Sequence, residues 1–589
     1  MVAAVVATVL VLSGCTAPVL VEGTSVTVAA SQSFFSYNPK TSYGNSAANS
    51  SIVSATNSQF NSYDKQPKLV KDPSFGSYRV LSRDPLTVKY TIRDGVDWSD
   101  GTPVDAADLL LAWAANSGAL NTPGFDPAAY VDQETGQFTR AFPKDVVYFD
   151  GFSGNGLQLV TKTPLIGDGG RSLTLVYDKY FVDWELVFGV GLPAHVVAGK
   201  ALGIKGHQAA KDALVKAVTS RNRAELAKVS RFWNTGFNFT AMPKDHELVV
   251  GTGPYTLSGL VANDHATLTA NPHYTGDHRP RFEKVTVKFI TDPLAAVKAL
   301  EAGEVDVISP QASTDVAKAL RSAKDVTVLG GFDGAYEHLD LQFANGRSGV
   351  FENPLVREAF LKVVPRQQIL DTLVAPLQKG ARLRSSQVFL PGEDGYSEAV
   401  ETNGSSAYAR VDVSGARRLL AEAGVVDPRL CILYDPSNPR RVTEFGLIQK
   451  SAALAGFAVD DCSSTDWRGL LGTPGAYDAA LYALRPSTLA VTAVAASFGS
   501  GETSTNQNYY SNPKVDALLA QLESSSDRAK QRELLTQVDT LVWADAYGVP
   551  LYQFPSMTAF RRTVSGVSPS PLAPGLLWNV WEWKPVEKG

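Results

Sequence analysis

The stretch that most narrows what this chain can fold into is Ile92 to Trp113, IRDGVDWSDGTPVDAADLLLAW. Ahead of it Leu86, Val88, Tyr90 and Ile92 alternate with Thr87, Lys89, Thr91 and Arg93, the two-residue period of a strand with one buried face. Asp94-Gly95 and Asp100-Gly101 are turn dipeptides, because glycine tolerates positive φ and aspartate bonds its own backbone. Asp105 then stands before Leu109, Leu110 and Trp113, an apolar face at helical spacing, with Asp108 in the first turn, where its charge suits the helix dipole. On local physics alone this is an ordinary strand–turn–helix.

A chain of 589 residues, 44% of them hydrophobic, is too long for one core, so several lobes are expected. The net charge of -5 is small, and no basic stripe appears, which argues against nucleic acid as a partner. Val2 to Leu12 is an apolar run followed by small residues, a signal-peptide pattern too short to span a membrane. No Lys or Arg precedes the run, so either its leading region is unusual or the start lies upstream. The ending Leu12-Ser13-Gly14-Cys15 resembles a bacterial lipobox, which implies cleavage before Cys15 and a lipid on its sulfur. Of the remaining cysteines, Cys431 lies in a strand-like run and Cys462 ends another, with a helical stretch between them. Neighbouring parallel strands would let them pair outside the cytoplasm; two buried thiols is the equal alternative.

As a whole string, residues 92–113 resemble the "LRdGvkFsDGtplTAeDv" signature of the family 5 extracellular solute-binding proteins, the peptide- and nickel-type receptors of ABC importers. Further matches follow in order. Phe34 to Pro39 resembles the first crossing loop, with Asn38 in place of its aspartate, and Leu192-Pro193-Ala194-His195 resembles "lPkH". Val250 to Leu257 resembles "vGtGPYkl"; a phosphate-loop reading fails, because neither Lys-Ser/Thr nor a helix follows. Residues 268–274, 282–290 and 293–307 continue the match, the last as strand, helix, Gly303 cap and strand. Asn353 to Phe360, the segment GARRLLAEAG ending at Gly424, Tyr477 to Leu481, Tyr510 to Asp516 and Val549 to Pro555 complete it. Leu430 to Asp461 reads independently as a β-α-β unit.

The resemblance implies an α/β fold of the periplasmic-binding-protein type (type II, cluster C), with two hinged lobes and an additional inserted lobe. The expected division is a signal peptide at 1–14, a lipid-anchored tether at 15–24, and lobe I from 25–44, 181–290 and 550–589. The inserted lobe is 45–180 and lobe II 291–549. It implies a lipoprotein of the actinobacterial type, anchored through Cys15 on the extracytoplasmic face of the cell membrane. As a monomer it would capture peptides or peptide-like solutes for ABC permease subunits, with no cofactor, no metal and no catalysis. Peptide-binding members carry a Trp and an Asp after the "yDm.l" strand, and the Asp takes the peptide amine. Here those positions are Leu484 and Ser487, with Arg485 between them, whose fork suits a carboxylate, phosphate or sugar hydroxyl. A glycan or glycolipid carrier, or a regulatory lipoprotein, is therefore the alternative. The expected ligand contacts are Tyr37, Asn38, Tyr336, Arg485, Ser487 and Asn506. No nucleophile elbow or zinc motif is present; His195 is expected to be structural, and His273 and His278 a chance surface pair.

Overall fold

The computed structural model describes residues 20–586, apart from 66–67, 133–134, 152–155, 379, 485–489, 501–505, 571 and 573–574. The leader with Cys15, and Arg485 with Ser487, lie outside the described residues. The first strand is β1 (Val21–Ala30); β2 (Gly76–Arg83), β3 (Leu86–Ile92), β4 (Leu165–Gly167) and β5 (Ser172–Val176) then form a separate antiparallel sheet in the order β2-β3-β5-β4. The alternation read in residues 86–92 is real: every second residue of β3 is buried. The chain continues through β6 (Tyr255–Val261), β7 (His265–Ala270), β8 (Phe282–Phe289), β9 (Val307–Ile308), β10 (Val326–Leu341), β11 (Arg429–Leu433), β12 (Ala458–Asp461), β13 (Ala479–Leu484) and β14 (Gly548–Arg561). With β1 these make one large sheet, ordered β12-β11-β13-β10-β14-β9-β1-β8-β7-β6.

Two of these strands organise the rest. The β10–β14 ladder is antiparallel and runs from Val326 opposite Arg561 to Asp340 opposite Gly548. Its Val326–Phe332 end lies beside β9, which continues through β1 into the first half of the sheet. The Tyr336–Leu341 end lies beside β13, which continues into the second half. The register shifts between Phe332 and Tyr336, between the two ends, and again between Glu337 and His338. Each half has its own core: Val26, Trp113, Trp233 and Val285 lie in one, and Leu339, Phe360, Ile448 and Leu551 in the other. Residues from 45–180 and 181–290 share the first core without a break.

The helix read after Asp105 is α1 (Ala106–Ser117). Asp105 Oδ1 accepts the Ala107 N–H at 2.8 Å, and Asp108 Oδ2 accepts the Asp105 N–H at 2.9 Å. The helix is buried almost all round rather than on one face, because α2 (Ala194–Leu202), α3 (His207–Thr219) and β5 pack on it. A further helix, α4 (Arg223–Thr235), packs on α2. In the second half, α5 (Pro439–Ala453) connects the parallel strands β11 and β12. Cys431 and Cys462 are joined there in a disulfide, their Cα atoms 5.6 Å apart. Parallel pairing of the two strands supplies the proximity, so of the two sequence readings the paired one holds.

The turn at the head of α1 is tied down by buried charge. Lys211 of α3 reaches Asp108 Oδ2 at 2.9 Å and Asp105 Oδ2 at 3.1 Å, and donates to the Pro103 carbonyl at 2.6 Å. Asp108 Oδ1 accepts the Ala194 N–H at the start of α2. Burial disfavours the Lys211 ammonium, but the charges of Asp108 and Asp105 outweigh it and raise its pKa above 10.5. Burial, then the like charge of Asp108, raises Asp105. Removing the cation strands two carboxylates, one of them fully buried. Lys211→Met is therefore expected to cost about 3–5 kcal/mol in urea denaturation; a loss below about 1 kcal/mol would show that water already screens this trio.

Candidate functional site

Beyond the register break, β10 turns Tyr336, His338 and Asp340 to one face of the second half, all three buried. His338 Nδ1 lies 2.8 Å from Asp340 Oδ1, and the Tyr482 hydroxyl of β13 donates to Asp340 Oδ2 at 2.8 Å. A carboxylate only accepts, so His338 Nδ1 carries a proton toward Asp340 and Nε2 faces away from it. That Nε2 is buried and has no hydrogen-bond partner among the described residues. Burial, then the Asp340 charge, raises the Tyr482 pKa well above its ordinary value and keeps the phenol a donor. Arg384 lies 3.7 Å over the Tyr336 ring and donates to Gln553 Oε1 at 3.0 Å. Aromatic faces, an unpaired ring nitrogen and a buried cation thus converge where β13 ends.

The opposite face of β10 anchors this one. Glu337 is fully buried and accepts from Arg441 Nε at 2.9 Å. Tyr552 donates to Glu444 on α5, whose pKa burial and then Glu337 push well above the carboxylate range. This network fixes α5 to β10 and β14 and so sets the position of the tyrosine–histidine face.

The sequence-derived contacts fare differently. Tyr336 lies on this face, opposite Leu484 in register. Arg485 and Ser487 follow that leucine outside the described residues. Tyr37 is in the first core, donating to Thr56 Oγ1 at 2.7 Å. Asn38 donates to the Trp233 carbonyl at 2.8 Å, and Asn506 bonds Gly499 and Tyr510, so both spend polar atoms inside the protein. His338, Asp340, Tyr482 and Arg384 share this face with Tyr336 and carry no motif in the sequence that singles them out. Extending the alternation of LDLQFA back to Tyr336 would have placed the first two with it.

The halves also meet away from the paired strands. Asp183, on the first half, accepts the N–H groups of Val491 and Thr492 at 2.9 and 2.8 Å and the Thr492 hydroxyl at 2.7 Å. These donors open α6 (Val491–Phe498), whose positive dipole end favours the carboxylate. Nearby, Arg528 donates to Glu185 at 2.6 Å.

Among the described residues one metal-capable group stands elsewhere. Ligand atoms of Asp100, His195 and His207 lie within 4.8 Å of one another. His195 Nε2 lies 2.9 Å from Asp100, and Thr102 bonds His207 Nδ1. The His195 proton therefore sits on Nε2, the atom a metal would need, and moving it to the buried, unpartnered Nδ1 would strand it. This arrangement pins the turn to α2. Burial would raise the Asp100 pKa, but the bonds from His195 and Thr102 outweigh it and hold it below 3.8. His278 stacks on Trp581 at 4.2 Å, a packing role.

Comparison with known proteins bears on the family and the fold. The model of the bacterial extracellular solute-binding proteins, family 5 Middle, matches residues 66–514. An uncharacterized lipoprotein of Mycobacterium leprae is 25% identical over 93% of this chain and 91% of its own. The oligopeptide-binding protein OppA of Mycobacterium tuberculosis is 23% identical over 85% of this chain and 74% of its own. Among solved structures, a periplasmic EDTA-binding protein, EppA, superposes with a TM-score of 0.75 at 21% identity, covering 98% of both chains. The two-lobed α/β fold expected from the sequence is thus the fold observed.

Two predictions follow from this geometry. Asp183→Asn places an amide against two N–H donors, costing about 1.5–3 kcal/mol of cross-lobe contact. X-ray scattering of the ligand-free variant should show a larger radius of gyration, whereas an unchanged profile would show that the contact does not govern closure. Asp100 has a lower pKa folded than unfolded, so its contribution is present above about pH 4 and lost as pH falls. Asp100→Asn should flatten the acid limb of thermal stability between about pH 4 and pH 2; a slope matching the parent's would locate the acid sensitivity in another carboxylate.

Proposed function

This chain belongs to family 5 of the bacterial extracellular solute-binding proteins, the receptors of ABC importers, and from that membership we propose that it captures peptides or peptide-like solutes between its lobes and delivers them to a permease. The observation that carries the reading is the pair of strands β10 and β14 shared by both halves, with Asp183 bonded from the first half to α6 of the second. A ligand touching both lobes favours the closed form by its differential affinity, and the permease would read that form. The oligopeptide-binding relative supports a peptide, while the EDTA-binding neighbour illustrates that the fold also accepts a small polyanion.

In this reading lobe I is 25–44, 181–290 and 550–589, the inserted lobe 45–180 and lobe II 291–549. Tyr336 packs against the ligand, His338 accepts a ligand proton, and Arg485 and Ser487 meet its polar end. Tyr37, Asn38 and Asn506 shape the walls from behind. With Ser487 in place of the amine-binding aspartate, Arg485 favours a ligand presenting a carboxylate there. Cys15 carries the lipid that holds the receptor outside the cell; relatives named as lipoproteins support this. Among the described residues no helix is long and apolar enough to cross a membrane. A glycan or glycolipid carrier, or a regulatory lipoprotein of the same fold, is the rival reading, and the relatives named above lend it no support.

Native mass spectrometry of the purified protein, followed by calorimetry with the co-purifying solute and with peptides of graded length, tests this. Peptide binding is expected, with Arg485→Ala weakening acidic-ended peptides about tenfold, the equivalent of one lost charge-assisted bond. Retention of a glycan with no affinity for any peptide would replace this reading with its rival.

A further inference from the structure

Between Ala213 and Trp233 the sequence holds five cations, Lys216, Arg221, Arg223, Lys228 and Arg231, and one acid, Glu225. In a chain whose net charge is -5 this is a local reversal of sign. The cations occupy the end of α3, the turn after it and the exposed side of α4, and all but the half-buried Arg231 are exposed. The fold brings two more alongside. Arg221 donates to the Thr161 carbonyl at 3.3 Å, next to the exposed Lys162, and Arg231 donates to the Pro143 carbonyl at 3.1 Å, next to the exposed Lys144. Along the chain these positions are too scattered to read as a basic stripe.

These cations are unspent. None of them forms an ion pair among the described residues, whereas elsewhere on the surface Lys89 holds Asp168 and Lys200 holds Asp245, each at 2.7 Å. The neighbouring acids are engaged differently: Asp178 accepts the Thr161 hydroxyl at 3.1 Å, and Asp212 accepts the Gln208 amide at 2.9 Å. Glu225 lies in the first turn of α4, where the helix dipole favours it, and Asp145 is exposed beside Lys144. Arg221 also stands in an unusual place. It closes α3 at φ 51°, its N–H donating to the Val218 carbonyl at 3.2 Å and the Asn222 N–H to the Ala217 carbonyl at 2.9 Å. Glycine is the usual residue at such a helix end, because a side chain strains it. An arginine there holds its charge at the apex between α3 and α4.

The three arginines bond three different segments, at Thr161, Thr122 and Pro143. Their charges are therefore spread along a face rather than aimed at one point. A small anion would meet one or two of them, whereas a surface of closely spaced phosphates meets all. We propose that this face of the first half rests on an anionic bilayer, with lipid phosphates meeting Lys162, Arg221, Arg223 and Lys228. The inference rests on the reading that Cys15 holds the chain at a membrane, which favours a bilayer over nucleic acid as the polyanion. The basic face and the lipid are then two anchors acting together.

The test is vesicle sedimentation of the full chain carrying Cys15→Ser, so that no lipid contributes. Binding is expected to vesicles of phosphatidylcholine and phosphatidylglycerol in equal parts, weakening as salt rises, and not to phosphatidylcholine alone. Replacing Arg221, Arg223 and Lys228 together by Gln should weaken it about hundredfold, at about fivefold per charge. Replacing the exposed Lys318, Lys324 and Lys450 by Gln removes the same charge elsewhere and should leave binding unchanged. Arg221→Gly relieves the turn, so it should weaken binding about fivefold without lowering thermal stability. Failure to bind the anionic vesicles, equal losses in the two triple variants, or tighter binding of duplex DNA than of the vesicles would each overturn the proposal. The lipid on Cys15 is read separately, from the mass of the chain taken from membranes, so failure of that reading and failure of this one are distinguishable.

Discussion

The antiparallel pairing of β10 with β14 is the constraint on which the remainder depends. One ladder, from Val326 to Asp340 on one strand, belongs to both halves of the large sheet. Backbone hydrogen bonds hold the halves at a fixed spacing yet allow a twisted ribbon to flex where the ladder is interrupted. Register shifts fall between Phe332 and Tyr336 and between Glu337 and His338, so the tyrosine–histidine face begins at the far edge of the first and spans the second. A change of angle at the break would therefore move that face against the first half while both cores stay intact.

Buried charge is distributed accordingly. In the first half Lys211 is satisfied by Asp105 and Asp108, and in the second Glu337 is met by Arg441. These are anchors that cost much to disturb. The tyrosine–histidine face differs in kind: among the described residues nothing bonds His338 Nε2, and Arg384 rests on the Tyr336 ring. Unspent bonding capacity on a rigid support is what recognition requires. Asp183 at the head of α6 adds a bonded contact between the halves away from the paired strands.

Much of the fold was legible because its signals are local. The alternation in β3, the capping of α1 by Asp105 and the β-α-β unit around α5 all fell where the sequence placed them, within a few residues. The site was less so. Tyr37, Asn38 and Asn506 have the residue types of ligand contacts, but each bonds within the protein. Side-chain type tells what a residue can bond, not whether the fold has already used that capacity.

By itself the sequence determined the α/β alternation, the order of the elements and membership of a solute-receptor family, since periodicity, turn dipeptides and motif order are properties of the chain read in one dimension. Only the tertiary structure decided that Cys431 meets Cys462, that Asp183 caps a helix more than half the chain away, and that Arg221 bonds the segment carrying Lys162. Such contacts join residues whose separation along the chain carries no signal; they arise when burial of two separate cores brings distant surfaces within hydrogen-bonding range.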